Sequence, residues 1–442
     1  MRGMMRERLG STVLLLLLLA AGGAGAVSPS AGADPNDVLA SLLREALRSS
    51  PAIAASSEQA TASGHRAAAA DRLPNPMLGF GTMPGSGERS AANWISLRQT
   101  FPFFGKRSLM RSEMDADAAM DASRANETAA MVIQDVKEDV WAIYRADRAI
   151  EIAEREAALL SEMTAAAQAM YAAGEGRQAD VLQAQLMRTE VDERLIRLRA
   201  ERAALERRIE GLVGKPLPIP FLAETDPETP IDESALLDRA LLANPEIAAR
   251  DAEVRRAHAS LALARKDFYP DLTLGAMWGE MGMGGMPGEG DGDRRFAFEA
   301  MIDLPIARGD IRDREKGARA LLRASERELE NVRLRLRAAI GETVTELKAA
   351  SASIDIHRNG MIPQAESAFR SARAAYAAGR LDFESVLLAE RSLLEAESGL
   401  HEMVAWVGML LARLDRLVGS KDENTLFPVW DAARGAADPR KE

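Results

Sequence analysis

The 442-residue chain contains no cysteine. That absence removes disulfides, Cys-ligated zinc, iron–sulfur clusters and thiol chemistry, and with them a lipidated N-terminal cysteine. Aromatic residues are scarce, at 5%, too few for several large compact cores. Positive charge is in deficit: 56 Lys and Arg stand against 67 Asp and Glu, for a net charge of −11. Without a basic stripe the chain is not expected to bind nucleic acid, because neutralising phosphates requires an excess of cations. The four histidines, His65, His258, His357 and His401, are scattered, and no two share the helical spacing of a ligand pair. No phosphate loop, nucleophile elbow or pocket-forming pair of carboxylates can be recognised. The expectation is therefore a protein with no cofactor and no catalytic centre.

What is present starts at the N-terminus. Arg2, Arg6 and Arg8 form a positive region, Val13 to Ala21 an apolar one, and Ala24-Gly25-Ala26 a small-residue cleavage site. This is the pattern of a secretory signal peptide over residues 1–26, so the mature chain is expected to start at about Val27. The apolar run is too short to span a membrane as a helix, and no later run reaches the required length of about 18 residues. If the mature protein enters a membrane, it must do so as a barrel.

The chain repeats itself. Ala46-Leu47 followed by Pro51-Ala52-Ile53-Ala54-Ala55 recurs as Ala240-Leu241 followed by Pro245-Glu246-Ile247-Ala248-Ala249, at an offset of 194. The same offset carries Pro76 onto Pro270. Phe101-Pro102-Phe103 answers to Leu304-Pro305-Ile306, and Leu212-Val213-Gly214 to Leu417-Val418-Gly419. These pairs divide the chain into a first repeat at 35–214, a Pro-rich linker at 215–231, a second repeat at 232–420 and a polar tail at 421–442. Proline breaks helix and central strand alike, which suits a linker.

Each repeat reads as helix, strand, loop, strand, long helix, turn, long helix. The opening helices are expected at about Pro35 to Arg72 and Asp232 to Lys266. Period-two alternation marks half-buried strands. Ile95 and Leu97 oppose Ser96 and Arg98; Leu272, Leu274, Ala276 and Trp278 oppose Thr273 and Gly275; Phe296, Phe298, Ala300 and Ile302 oppose Ala297, Glu299 and Asp303. Met77 to Met83 follows the same pattern more weakly. Phe80, Trp94, Phe101, Phe268, Tyr269, Trp278, Phe296 and Phe298 cluster in or beside these runs, as in the aromatic belts of membrane barrels. Lys106 to Ala173 holds neither proline nor glycine and extends about 100 Å at 1.5 Å per residue. Beyond it, Val191, Leu195, Leu198, Arg202, Leu205, Ile209 and Leu212 step alternately by four and three, as do Ala396, Leu400, Met403, Val407, Leu410, Leu414 and Leu417. That spacing is a coiled-coil seam. Turns between the long helices centre on Gly174, Gly176 and Gly379, natural helix C-caps. Four strands per chain cannot close a barrel, so strands in a membrane require several chains to pool them.

The most distinctive pieces are Tyr171-Ala172-Ala173-Gly174 with Asp180-Val181-Leu182-Gln183-Ala184, and Tyr376-Ala377-Ala378-Gly379 with Val386-Leu387-Leu388-Ala389. With the duplicated architecture, they make the chain resemble the TolC-like outer-membrane factor family over about Asp34 to Ser420. The resemblance implies a mainly α fold with a small transmembrane β part. The long coiled-coil helices would form an oligomeric α-barrel topped by a shared 12-stranded β-barrel. It also implies a homotrimer in the outer membrane of a Gram-negative type cell, in contact with outer-membrane lipid and with its helical tube in the periplasm. A periplasmic adaptor and an inner-membrane pump of the RND type are the implied partners, and passive conduction of exported metal ions or drugs the implied activity. The two motifs, with Tyr171, Gly174, Asp180, Tyr376, Gly379, Asp382 and Glu384, would form the periplasmic tip and aperture. Where the family carries aspartates in the second repeat, this chain has Ser385 and Leu388. Asp180, Asp382 and Glu384 are left as candidates for an acidic constriction, or as charges that complement helix dipoles.

Between the last two strands, Met281, Met283 and Met286 punctuate a glycine-rich segment. Thioethers are soft ligands that suit Cu(I), which makes these residues a candidate metal site in an extracellular loop. The simpler reading is a loop that carries apolar residues. The competing reading of the whole chain is a periplasmic coiled-coil adaptor or scaffold, which accounts for the seams but not for two amphipathic hairpins in equivalent places.

Overall fold

The computed structural model describes residues 35–83, 92–174, 176–216, 219, 232–280 and 294–419. The expected signal peptide, most of the segment expected as a linker, Met281, Met283 and Met286, and the polar tail residues lie outside them.

The opening helix of each repeat is two helices rather than the one expected. The first repeat begins with α1 (Pro35–Ser49) and α2 (Pro51–Ala70), the second with α5 (Glu233–Ala243) and α6 (Pro245–Lys266). The cause is proline. Its ring drives the preceding residue out of the helical region, while its own fixed φ suits the first helical position. Ser50 is accordingly extended (φ −63°, ψ 120°), and so is Asn244 (φ −66°, ψ 124°). Asn244 Oδ1 then accepts the Glu246 and Ile247 amides at 2.9 and 3.2 Å.

Each break is tied to the end of the same repeat. Ser49 Oγ donates to the Val213 carbonyl at 2.6 Å, and Asn244 Nδ2 to the Leu417 carbonyl at 2.9 Å. The helices supplying those carbonyls are α4 (Gln178–Val213) and α9 (Phe383–Val418), each ended by a left-handed glycine, Gly214 or Gly419. A Cβ on Gly419 would collide with the Ala243 carbonyl, so the close approach requires glycine as well as the positive φ.

The long helix α3 (Lys106–Ala172) runs unbroken for 67 residues. Its counterpart does not. The second repeat has α7 (Arg308–Ile356), a π-turn (His357–Met361) and α8 (Ile362–Ala377). The offset between repeats is 203 at Pro102 and Pro305 but 205 at Tyr171 and Tyr376, so the second copy must absorb two extra residues. Pro363, which lacks an N–H to continue the ladder, is the second residue after the π-turn. His357 Nδ1 lies 3.0 Å from the Ala396 carbonyl and anchors the turn to α9.

Strands β1 (Met77–Met83), β2 (Ala92–Phe101), β3 (Leu272–Glu280) and β4 (Arg294–Ile302) form one antiparallel sheet in the order β1-β2-β3-β4. The two hairpins therefore join side by side through β2 and β3. On the helical side, α3 packs against α2, α4, α6 and α9, and α9 against α7 and α8. The largest apolar core is built by α1, α3, α4, α7 and α9, with Leu43, Val136, Ile143, Val213, Ile354 and Leu410 at its centre. A smaller cluster joins α5 and α6 to α7 and α9, and a third runs between α3, α4 and α9 toward the helical turns. The seam residues Val191, Leu195, Ile209, Ala396, Leu400, Val407, Leu410, Leu414 and Leu417 are buried as expected. Arg202, also in the seam, pairs with Asp147 and Glu206.

One ion pair is sealed in the largest core: Lys137 Nζ of α3 lies 2.8 Å from Asp415 Oδ2 of α9, with side chains 3% and 6% exposed. Removing one partner strands a buried charge, at a cost of about 3–5 kcal/mol. Lys137→Ala should therefore lower the unfolding free energy by about that amount in a denaturant titration followed by circular dichroism. The double replacement Lys137→Met, Asp415→Leu should recover most of the loss.

Candidate functional site

The sheet is sorted by side. Hydrogen-bonded register places Phe80, Ile95, Trp278 and Phe296 in one row, followed by Leu78, Leu97, Ala276 and Phe298, then Gln99, Leu274 and Ala300, then Phe101, Leu272 and Ile302. All four rows share a face, and only Gln99 is polar among them. Phe80, Phe296 and Phe298 are 77%, 72% and 84% exposed, so this apolar face is uncovered by the other described residues. From Trp278 to Leu272 it spans six residues, about 20 Å at 3.3 Å per residue, close to the height of a membrane-barrel apolar band. Aromatic rings mark both ends: Trp278 and Phe296, 6.4 Å apart, at one, and Phe101, Phe104 and Tyr269 at the other.

The opposite face carries the glycines and, beside Met77, Met277, Ala297 and Met301, the charged and hydroxyl side chains of the sheet. Arg98 of β2 pairs with Glu299 of β4 across Gly275. Thr100 and Thr273 hydroxyls bond at 3.0 Å. Trp94 belongs to this face, not to the aromatic belt expected of it. Its ring lies where a Cβ on Gly81 would stand, and a Cβ on Gly279 would strike its backbone. The alternation already put Trp94 in phase with Ser96 and Arg98; counting aromatics without their parity misplaced it. Small residues on one face and bulky ones on the other suit a sheet curved around a polar interior. The outer edges of β1 and β4 have no strand beside them among the described residues.

At the far end of the helices, the structure gathers the residues expected at the tip. Tyr171 is exposed in the last turn of α3, and Gly174 (φ +78°) and Gly379 (φ +66°) close the two turns. Asp180 and Glu384 occupy the first turns of α4 and α9. Asp382 is the N-cap of α9 and accepts the Ser385 amide at 2.9 Å. Hydrogen bonds from Ser385, aided by the Arg177 charge, hold the Asp382 carboxyl below the usual carboxylate range. This is the dipole-complementing arrangement, with its charge still in solvent. Tyr376 joins the two turns: its hydroxyl lies 3.5 Å from Met170 Sδ and its ring centroid 5.7 Å from Phe383. Burial, and then the Asp180 charge, push the Tyr376 phenol up. Met281, Met283 and Met286 lie outside the described residues. Among those described, no group of three or more His, Asp or Glu side chains is placed to hold a metal ion, and no helix is long and apolar enough to cross a membrane.

A sheet with an uncovered apolar face, continuous with long helical hairpins, defines a subunit of a membrane duct. The family model for outer membrane efflux proteins matches residues 42–215 and 236–420, and the chain belongs to that family. It is 24% identical, over 67% of its length and 72% of the relative's, to the cobalt-zinc-cadmium resistance protein CzcC of Cupriavidus metallidurans. Its fold is similar to the outer membrane protein VceC of Vibrio cholerae (TM-score 0.73, 20% identity, 86% of this chain and 96% of that one). It is likewise similar to the open state of the MtrE outer membrane channel of Neisseria gonorrhoeae (TM-score 0.69, 18% identity, 86% and 89%). The chain is thus an outer-membrane efflux channel that serves a tripartite system, with its helices in the periplasm, and not an adaptor. Members of the family are channels that work with adaptors and inner-membrane pumps.

Neighbouring residues of β3 test the two faces. Arg on the lipid face of a barrel costs about 2–4 kcal/mol at the bilayer midplane. Ala276→Arg should lose that much in urea unfolding from lipid vesicles, while Met277→Arg, on the polar face, should lose far less.

Proposed function

We propose that this chain is the outer-membrane duct of a heavy-metal efflux system, assembled as a homotrimer that pools twelve strands. The observation that carries the oligomer is the open sheet: an edge strand cannot stay unpaired in hydrocarbon, and β1 and β4 each have a free edge among the described residues. Support for the metal comes from the likeness to the cobalt-zinc-cadmium resistance protein. In this reading the signal peptide at 1–26 is removed, and the repeats at 35–214 and 232–420, joined by the linker at 215–231 and followed by the tail at 421–442, work as one passive conduit without catalytic chemistry. A periplasmic adaptor and an RND-type pump deliver the substrate.

Asp180, Asp382 and Glu384 form an acidic aperture at the tip, near Tyr171, Gly174, Tyr376 and Gly379. Their support is geometric: three carboxylates at the starts of α4 and α9 gather at one end of the helices. Met281, Met283 and Met286 are the candidate metal contact, on the softness of their sulfur.

Membrane fractionation followed by unheated electrophoresis in mild detergent tests the assembly. An outer-membrane band near three times the monomer mass is expected; a band at monomer mass overturns the trimer. In planar bilayers, Asp180→Asn with Asp382→Asn and Glu384→Gln should reduce the preference for cations over anions severalfold. An unchanged reversal potential would remove the acidic aperture. Met281, Met283 and Met286 changed together to Ala should lower cobalt, zinc, cadmium or copper tolerance of a complemented deletion strain, and unaltered growth would dismiss the loop as a metal contact.

A further inference from the structure

The least accommodated charged group outside the tip and the sheet is Glu390, in the second turn of α9. Its side chain faces α3 and is 3% exposed. Its Oε1 atom is buried and has no hydrogen-bond partner. It sits in the floor of a groove of about 700 Å³ between α4 and α9, bounded at its base by Ile152 and Glu156 of α3. The nearest charge across the interface has the same sign. Glu156 is itself largely enclosed and ion-paired to one terminal nitrogen of Arg194 of α4, whose Nε is buried without a partner and is not directed at Glu390 Oε1.

The other charges around Glu390 face water. Glu190, Glu193 and Arg197 of α4 and Arg391, Glu395 and Glu402 of α9 line the groove walls. Arg197 pairs with Glu193, and Arg391 with Glu395. On α8, which packs against α9 from the other side, Glu366, Arg370 and Arg373 are all exposed. On α3 Arg155 is paired with Glu397 of α9, and no cation of α3, α4, α8 or α9 donates to Glu390 Oε1. At the matching position of the first repeat, offset by 205, stands Gln185, neutral and exposed. The second repeat thus carries an ionisable group, turned inward, where the first has neither.

We propose that Glu390 is a proton-operated latch between the two helical hairpins. When it is protonated, the neutral side chain packs between α3 and α9 and the hairpins lie together; when it is ionised, repulsion from Glu156 and the need for water draw α9 away from α3. The proton comes from and returns to solvent through the groove. Burial first, and then the Glu156 charge, push the Glu390 carboxyl up to about 7, while burial raises Glu156 against the opposing pull of Arg194. The sign follows. An acid raised in the folded state contributes a contact that is fully present below its unfolded value of 4.5 and is lost as pH rises through about 7. The latch concerns this pair of helices and holds for whatever substrate the duct conducts.

The absence of cysteine makes the test direct. Gln185→Cys on α4 and Leu388→Cys on α9, both exposed, take a pair of spin labels. Labelled chains are diluted with cysteine-free chains so that the distance read by double electron–electron resonance is within one subunit. In detergent the distribution should be single and short at about pH 5. A longer population should grow toward about pH 8, half complete near 7. Glu390→Gln should hold the short distance throughout. Glu156→Gln, which removes the repelling charge, should move the midpoint to lower pH and decides the matter if Glu390→Gln does not assemble. A distribution that ignores pH in the parent, a transition that survives in Glu390→Gln, or a midpoint unmoved by Glu156→Gln would each overturn the latch.

Discussion

A backbone N–H or C=O left unpaired in hydrocarbon costs several kcal/mol, and a four-stranded sheet leaves such groups along both outer strands. The rest of the molecule is shaped around that constraint. The two hairpins come from distant parts of the chain, yet they meet through β2 and β3 with eight residues in register, so each subunit presents only two edges rather than four. Polar groups on the inner face satisfy one another, as Arg98 does with Glu299 and Thr100 with Thr273. The outer face is apolar through four successive rows but for Gln99. What lies outside the sheet can then be entirely helical, because helices pair their own backbone and need no neighbour to do it.

Holding the helices at a fixed pitch to the sheet falls to the junctions. Phe103 stacks on Tyr269 at 4.5 Å, with Lys266 over both rings, where β2 passes into α3 and α6 into β3. Lys106 Nζ reaches Asp271 at 2.9 Å, and the Asp271 carboxylate also accepts the Phe103 amide. The first and second repeats are thus bound to each other at the strand roots. At mid-length they meet again, where the main core and the Lys137–Asp415 pair tie α3 to α9.

Much of this was legible in the sequence, and for a physical reason: period two and period 3.5 are properties of backbone geometry, so the strands, the seams and the long α3 showed themselves without any knowledge of packing. β1 falls at Met77–Met83, where the pattern put it. Local chemistry that competes with a pattern was harder to read. Pro51 and Pro245 were visible as repeat markers, yet the helical periodicity on either side hid the break they impose. The π-turn left only a two-residue drift in the repeat offset. Trp94 was assigned by its residue type when its parity decided the matter. Glu390 gave no signal, because a carboxylate on an amphipathic helix looks solvated until the partner helix is in place. The two turns between the long helices were marked by their motif, but the capping role of Asp382 depends on where α9 begins.

The duplication is exact in plan and unequal in mechanics. α3 is a single strut from the sheet to the tip, whereas the matching path through α7 and α8 has a joint at His357–Met361, pinned to α9 at the Ala396 carbonyl and crowded there by Gly399. A force applied to both tips together would be carried straight through one hairpin and would bend the other at a known place. Two arms of nearly the same sequence plan thus divide the labour of a fixed post and a hinged one.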